Sequence, residues 1–306
     1  MRRAHPLAVL TVASLVWTAP EIPARQMPHP ARPGLARPAP PADALAGHPL
    51  AASVDLRRAR DPLAALLAGW AAAPEAEAPE AVVIETRDSQ KLTGAFYAPR
   101  ATGRAPAVLL VHDAGGNRNQ LEKIAPHLQK RGFAVLALDL RGHGGSASAG
   151  CDWSRLEGDE HKRMWAFTLR DVAAAADFLR GRKEVHTSNL SLVGLRAGAA
   201  VALRHAVKDE NVRAVVLLDP ETQQLGFNLA DDVGEVGVPT LIISPRGDTN
   251  TARRLIEAGH GANPGYEFIQ TVILKSDRDR LVDDKRLATE IGTFLREQVV
   301  PKRGGR

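Results

Sequence analysis

From residue 81 onward, short apolar runs alternate with helical periodicities, and this alternation constrains the fold more than any other property of the chain. AVVIET and KLTGAFYAP read as two strands joined by Arg87-Asp88-Ser89-Gln90, and further apolar runs fall at 107–112, 133–138, 190–194, 214–218, 239–243 and 266–274. Helical spacing fills 118–131, 165–180, 197–208, 250–258 and 283–298. Strands separated by helices of this length need crossover connections rather than hairpins. The pattern therefore predicts an α/β domain over 81–300: a mostly parallel sheet of about eight strands, with helices on both faces. Such sheets bind ligands outside the carboxyl ends of their strands, so the residues that end each apolar run are the ones to inspect.

Upstream the composition changes. Arg2 and Arg3 precede an apolar run from Leu7 to Ala19, then Pro20 and a small-residue site ending at Ala24. This reads as a secretory signal peptide over 1–24 and predicts a secreted or periplasmic protein. As a helix the run spans about 20 Å, short of the ~30 Å of a bilayer core, so membrane association is expected only through an uncleaved signal segment. Nine of the 21 prolines lie between Pro20 and Pro49, which makes 25–80 a Pro/Ala-rich linker, with a candidate amphipathic helix at 52–72. Residues 301–306 form a basic tail. Of the net charge of +5, residues 1–65 carry +4 (eight Arg against four Asp/Glu). The folded part is thus close to neutral and offers no groove for nucleic acid. Cys151 is the single cysteine, which excludes an internal disulfide.

Within the domain, Gly194-Leu195-Arg196-Ala197-Gly198 follows an apolar run and opens a helical one. Strand, tight turn, helix is the setting in which G-x-S-x-G forms a nucleophile elbow. Gly194 and Gly198 supply the two glycines of that turn, but arginine stands in place of serine.

Four segments together resemble the α/β-hydrolase fold, closest in style to dienelactone-hydrolase-like and serine-aminopeptidase-like esterases. AVLLVHDAGGNRNQ is similar to that fold's strand and oxyanion loop, with Asp113 where glycine is usual. RGFAVLALDLRGHGGS resembles the next strand and its Gly-rich loop. LSLVGLRAGAAVAL resembles the elbow, and VPTLIISPRGD the strand that delivers the acid. The match runs in order over roughly 81–299. It implies an oxyanion loop around His112, Asp113 and Ala114, with Ala197 following the elbow residue. It also implies an acid at Asp248 and a histidine after the last strand.

Acyl transfer on this fold needs a nucleophile, a histidine that activates it and an acid that orients the histidine. Arg196 holds the nucleophile position, and a guanidinium has no lone pair to attack with. Asp248 fills the acid position. At the histidine position stand Asp277 and Arg278, and no histidine follows His260. His260 precedes the last strand and reads as a helix C-terminus. Ser146, Ser148, Ser191, Ser244 and Cys151, the last with His143 and His161 nearby in sequence, are the other nucleophile candidates. None sits at a strained turn. His112, Asp113, His143, Asp219 and Asp248 all lie at strand ends, but their spacing matches no metal motif. No cofactor or metal is expected.

Two roles for Arg196 follow. It can act as an anion receptor at the mouth of the helix that begins near Ala197. It can instead form an internal ion pair with Asp248 or Asp219 that plugs the old pocket. Segments 147–163 and 221–237 fall where caps are inserted but are too short for a cap domain, so a shallow crevice is expected. The sequence thus predicts an exported, non-catalytic domain that binds a small anionic ligand or a protein partner at the former active site. The alternative is a carboxylic-ester hydrolase with a non-standard constellation.

Overall fold

The computed structural model describes residues 78–100, 103–262 and 269–299. The signal segment, most of the linker with its helix at 52–72, and the tail at 301–306 lie outside the described residues. Eight strands form one sheet: β1 (Glu80–Glu85), β2 (Lys91–Tyr97), β3 (Ala105–Val111), β4 (Ala134–Leu138), β5 (Val185–Leu195), β6 (Val212–Leu218), β9 (Thr240–Ser244) and β10 (Ile269–Ile273). A two-stranded ribbon, β7 (Gln223–Gln224) with β8 (Phe227–Asn228), stands apart from it. The sheet order is β1-β2-β4-β3-β5-β6-β9-β10, and only β2 runs against its neighbours. This is the α/β architecture that the alternation predicts.

The period-2 alternation of each strand divides the core in two. Ala107, Leu109 and Val111 face one side, where they pack with α3 (Asp159–Gly181), α4 (Ala197–Lys208), α5 (Leu229–Glu235) and α6 (Asn250–Ala262). Val108 and Leu110 face the other, beneath α1 (Asn119–Glu122), α2 (Ala125–Lys130) and α7 (Leu287–Val299). The central strands are buried on both faces, which explains why they read as continuous apolar runs.

Three segments differ from expectation. The helix expected over 118–131 is split into α1 and α2, because Pro126 lies in the first turn of α2 and cannot donate to a preceding carbonyl. Helix α3 begins at Asp159 rather than 165, and Asp159 and Glu160 complement the positive end of its dipole. Strand β5 is longer than the run 190–194, since it already pairs with β3 at Val185, and His186 to Asn189, at least partly exposed, form an irregularity before the pairing resumes at Leu190 and so carry no apolar signal. Segment 147–163 is accordingly a short 3-10 turn (Trp153–Arg155) running into α3, and 221–237 is the β7–β8 ribbon and α5.

Candidate functional site

The strand-end crevice is built around the turn from β5 into α4. Arg196 adopts φ 46° and ψ −110° there, a positive-φ conformation outside the left-handed helical well that costs a non-glycine residue on the order of 1–3 kcal/mol. The flanking glycines permit the turn. A Cβ on Gly194 would lie 2.4 Å from the carbonyl oxygen of Gly198, and one on Gly198 would lie 2.3 Å from that of His112. The turn is pinned by Arg196 N–H donating to Leu218 O at 2.9 Å and Ala199 N–H donating to Arg196 O at 2.9 Å. The elbow is therefore intact as backbone, and only its side chain differs.

Arg196 Nε donates to Asp219 Oδ2 at 2.9 Å, and Nη2 donates to the carbonyl of Arg278 at 3.2 Å. Asp219 ends β6 with φ 47°, and its carboxylate is fully buried. The same Oδ2 accepts from Arg278 Nε at 2.8 Å. Arg278 in turn lies 3.5 Å from Glu221 and 3.7 Å from Asp248. Of the two pairings expected for Arg196, the one with Asp219 forms, while Asp248 lies beside Arg278 instead. Of the two residues at the histidine position, Arg278 enters the network and Asp277 remains exposed. Asp248, Arg278 and Arg196 thus follow one another in space as acid, histidine and nucleophile would, with two cations bridged by one buried carboxylate.

The oxyanion side is filled as well. Asp113 Oδ1 accepts from the N–H of Ala114 at 2.8 Å and from that of Ala197 at 3.1 Å. Those are the donors, one from the β3 loop and one from the residue after the elbow, that would face a tetrahedral oxyanion. Asp113 Oδ2 also lies 3.6 Å from Arg196 Nη1. Burial raises the Asp113 carboxyl above its ordinary range, against the lowering effect of those N–H bonds and of Arg196. Gln120 Oε1 accepts the Asp113 N–H at 3.0 Å and holds the loop in place.

His112 and His143 are buried and hold loops together. His112 Nε2 accepts from Leu140 N–H at 2.9 Å while Nδ1 lies 2.7 Å from Asp113 O. His143 Nε2 accepts from Gly115 N–H at 3.0 Å while Nδ1 lies 2.7 Å from Arg141 O. Both rings act as one donor and one acceptor, so both are neutral and have no nitrogen free for a metal or a proton. Burial lowers the His112 pKa to about 4 and lowers that of His143 too.

The remaining candidates are not brought to the elbow. Ser146 Oγ donates to Asp139 O at 2.7 Å and accepts from Thr93 N–H at 2.8 Å. Ser191 and Ser244 are buried in strands. Ser148 and Cys151 form a bridge in the loop after β4, where burial pushes the thiol pKa up. His260 lies exposed in the last turn of α6. A groove of about 970 Å3 lies elsewhere, lined by residues such as Val83, Asp88, Phe178 and His205, and no elbow residue reaches it.

Sequence reasoning missed two features. One is Asp113 on the oxyanion donors: the replaced glycine was visible, but not the meeting of loops from β3 and β5. The other is Asp139, whose carboxylate accepts from Arg118 N–H at 2.8 Å and Gly145 N–H at 3.0 Å, tying together the loops after β3 and β4. Its place at the end of an apolar run was the available signal.

Comparison with known proteins agrees with this architecture. An esterase of Pyrococcus furiosus superposes with a TM-score of 0.60 at 18% identity, over 72% of this chain and 91% of that one. A dienelactone hydrolase from Anabaena variabilis superposes with a TM-score of 0.51 at 21% identity, over 72% and 95%. At these identities the likeness is one of fold. An uncharacterized protein of Mycobacterium tuberculosis is 30% identical over 160 residues, 52% of this chain and 50% of its own. The chain thus spans about half the length of the curated relatives it matches. The family model for dienelactone hydrolases matches residues 92–257, from β2 through the elbow and into α6, and the chain belongs to the dienelactone hydrolase family.

Proposed function

We propose that this protein is a non-catalytic member of its family, exported by its N-terminal segment, whose former active site is occupied by its own side chains and serves for binding. The observation that carries this reading is the Asp113 carboxylate on the N–H groups of Ala114 and Ala197. A reaction intermediate would have to displace it, and among the described residues no serine, cysteine or histidine pairs with the elbow side chain. Arg196 supplies a side chain that cannot attack, and Arg278 one that cannot accept a proton.

The binding role follows from what stays accessible. Arg196 remains 25% exposed, and its Nη1 lies 3.6 Å from Asp113 Oδ2. A small carboxylate or phosphate could replace Asp113 at that nitrogen, as could an acidic side chain of a partner protein. The internal pairing limits how strongly: Asp219, Asp113, Glu221, Asp248 and Asp279 all lie within 4 Å of one of the two guanidinium groups.

Incubation with a fluorophosphonate probe, followed by intact mass, tests the catalytic half. The expected result is no adduct while a serine hydrolase control labels fully. An adduct on any defined serine overturns the reading. Rebuilding provides the converse. Arg196→Ser alone should remain unlabelled, because neither base nor empty oxyanion site is present. The triple variant Asp113→Gly, Arg196→Ser, Arg278→His should gain labelling and p-nitrophenyl acetate hydrolysis, on the order of 10²-fold or more above the single variant. Activity in Arg196→Ser equal to that of the triple variant would place the base elsewhere.

A further inference from the structure

Arg196 and Asp113 meet with one hydrogen-bonding group of each left over. Arg196 commits Nε to Asp219 and Nη2 to the carbonyl of Arg278. Asp113 commits Oδ1 to the N–H groups of Ala114 and Ala197. Arg196 Nη1 and Asp113 Oδ2 remain, 3.6 Å apart and too far to bond each other, on side chains that are both partly exposed. A donor beside an acceptor is complementary to a planar group with an acceptor on one atom and a proton on the next. A carboxyl group and a primary amide have that form.

The surrounding charge chooses between them. Around Arg196 and Arg278 stand five carboxylates, those of Asp113, Asp219, Glu221, Asp248 and Asp279. An anion entering alone adds to an excess of negative charge, and a dianion such as phosphate adds twice as much. An anion entering with a proton leaves the charge of the site unchanged, and it still gains a guanidinium, which bonds a charged acceptor more strongly than a neutral one. The other groups that face Asp113 do not provide this proton. His112 and His143 are buried and neutral, with both nitrogens of each engaged. Asp219 is held by both arginines, and Asp279 lies exposed beside Arg196 Nη2. Gln120, which accepts the Asp113 N–H, does not titrate.

From this we infer that the crevice binds a monocarboxylate together with one proton from solution. One ligand oxygen accepts from Arg196 Nη1, and the proton is shared between the other oxygen and Asp113 Oδ2, while Asp113 Oδ1 keeps its two backbone bonds. Two carboxyl groups in contact do not both ionise, so the proton belongs to the pair rather than to either member. Burial already raises the Asp113 carboxyl above its ordinary range, which lowers the cost of protonating it. The inference rests on the binding role proposed above and gives it a ligand class and a dependence on pH. Binding is strong in mildly acidic solution and weakens as pH rises, because above the free Asp113 value each complex must take up a proton that becomes scarcer.

Isothermal titration of the full chain with butyrate, in two buffers of different ionisation enthalpy, reads the proton directly. About one proton should be taken up per butyrate bound, and affinity should fall about tenfold per pH unit between about pH 6.5 and 8.5. In Asp113→Asn the amide oxygen still accepts the two N–H groups and the amide nitrogen donates to the ligand. That variant should bind butyrate without proton uptake and with no pH dependence over the same range. Arg196→Gln, folded by circular dichroism, should lose at least tenfold in affinity. Butyramide and inorganic phosphate should bind the wild type more weakly than butyrate does at about pH 6.5. The inference is overturned by a wild type that does not bind butyrate, that binds it without proton uptake, or that prefers butyramide or phosphate. A pH dependence that persists in folded Asp113→Asn, or full affinity in Arg196→Gln, overturns it too. None of these results restores a nucleophile, so the non-catalytic reading survives them; a fluorophosphonate adduct ends that reading whatever butyrate does.

Discussion

At the scale of single residues, Asp219 carries the former active site. Its buried Oδ2 is the common partner of Arg196 and Arg278, so its removal leaves two cations without their closest anion. Asp219→Asn should therefore destabilise the domain by about 3 kcal/mol, at the lower end for a broken buried pair because both guanidinium groups are partly exposed. Arg196→Ser should cost less than half of that, since Arg278 keeps its bond to Asp219. Chemical denaturation of both variants checks the order; equal losses would mean that the two arginines are not alternatives for one carboxylate. The loss of the nucleophile was legible in Gly-Leu-Arg-Ala-Gly because glycine spacing and the strand–helix setting fix the position of the elbow. The partner of Arg196 was not legible to that degree. Asp219 and Asp248 both end strands, and only the spatial course of the chain after β10 brings Arg278 between Arg196 and Asp248.

At the scale of elements, two imidazoles join loops from adjacent strands. His112 ties the end of β3 to the segment after β4, and His143 ties that segment back to Gly115. Each accepts an N–H on one nitrogen, which protonation forbids. The folded pKa of His112, about 4, lies below the 6.5 of a free imidazole, so between those values the unfolded chain binds more protons. The stability due to His112 is thus complete above pH 6.5 and is lost as pH falls toward 4, at about 1.4 kcal/mol per pH unit. His143 and His205 are lowered too and act in the same direction, whereas the raised carboxyls of Asp113, Asp171 and Asp232 act against them. The difference between wild type and His112→Gln isolates the effect, since the amide can donate and accept without titrating. Urea midpoints should converge as pH falls from 7 to 5; parallel curves would remove His112 from the acid response. The element boundaries that sequence reasoning misplaced have local causes of the same kind. Pro126 divides a helix without interrupting its apolar spacing, and the start of β5 is an irregular, largely exposed stretch between the paired residues Val185 and Leu190.

At the scale of the whole molecule, the sheet was legible because burial on both faces makes central strands continuous apolar runs, and helices must cross between them. Its edges were read as well, AVVIET at β1 and the run 266–274 at β10, but which side of β10 is buried was not, because an edge strand is only half buried. Hydrogen exchange reads the difference between the middle and the edge of the sheet residue by residue. The amides of β3 and β6, buried in the middle, should exchange only on global opening. In β10 the Leu274 N–H is bonded to Ser244 O, and Gln270 and Val272 face β9 with it, so these amides should be slow. Those of Ile269, Thr271 and Ile273 point away from β9 and should exchange orders of magnitude faster than their neighbours. Uniform protection along β10 would mean that this edge is covered.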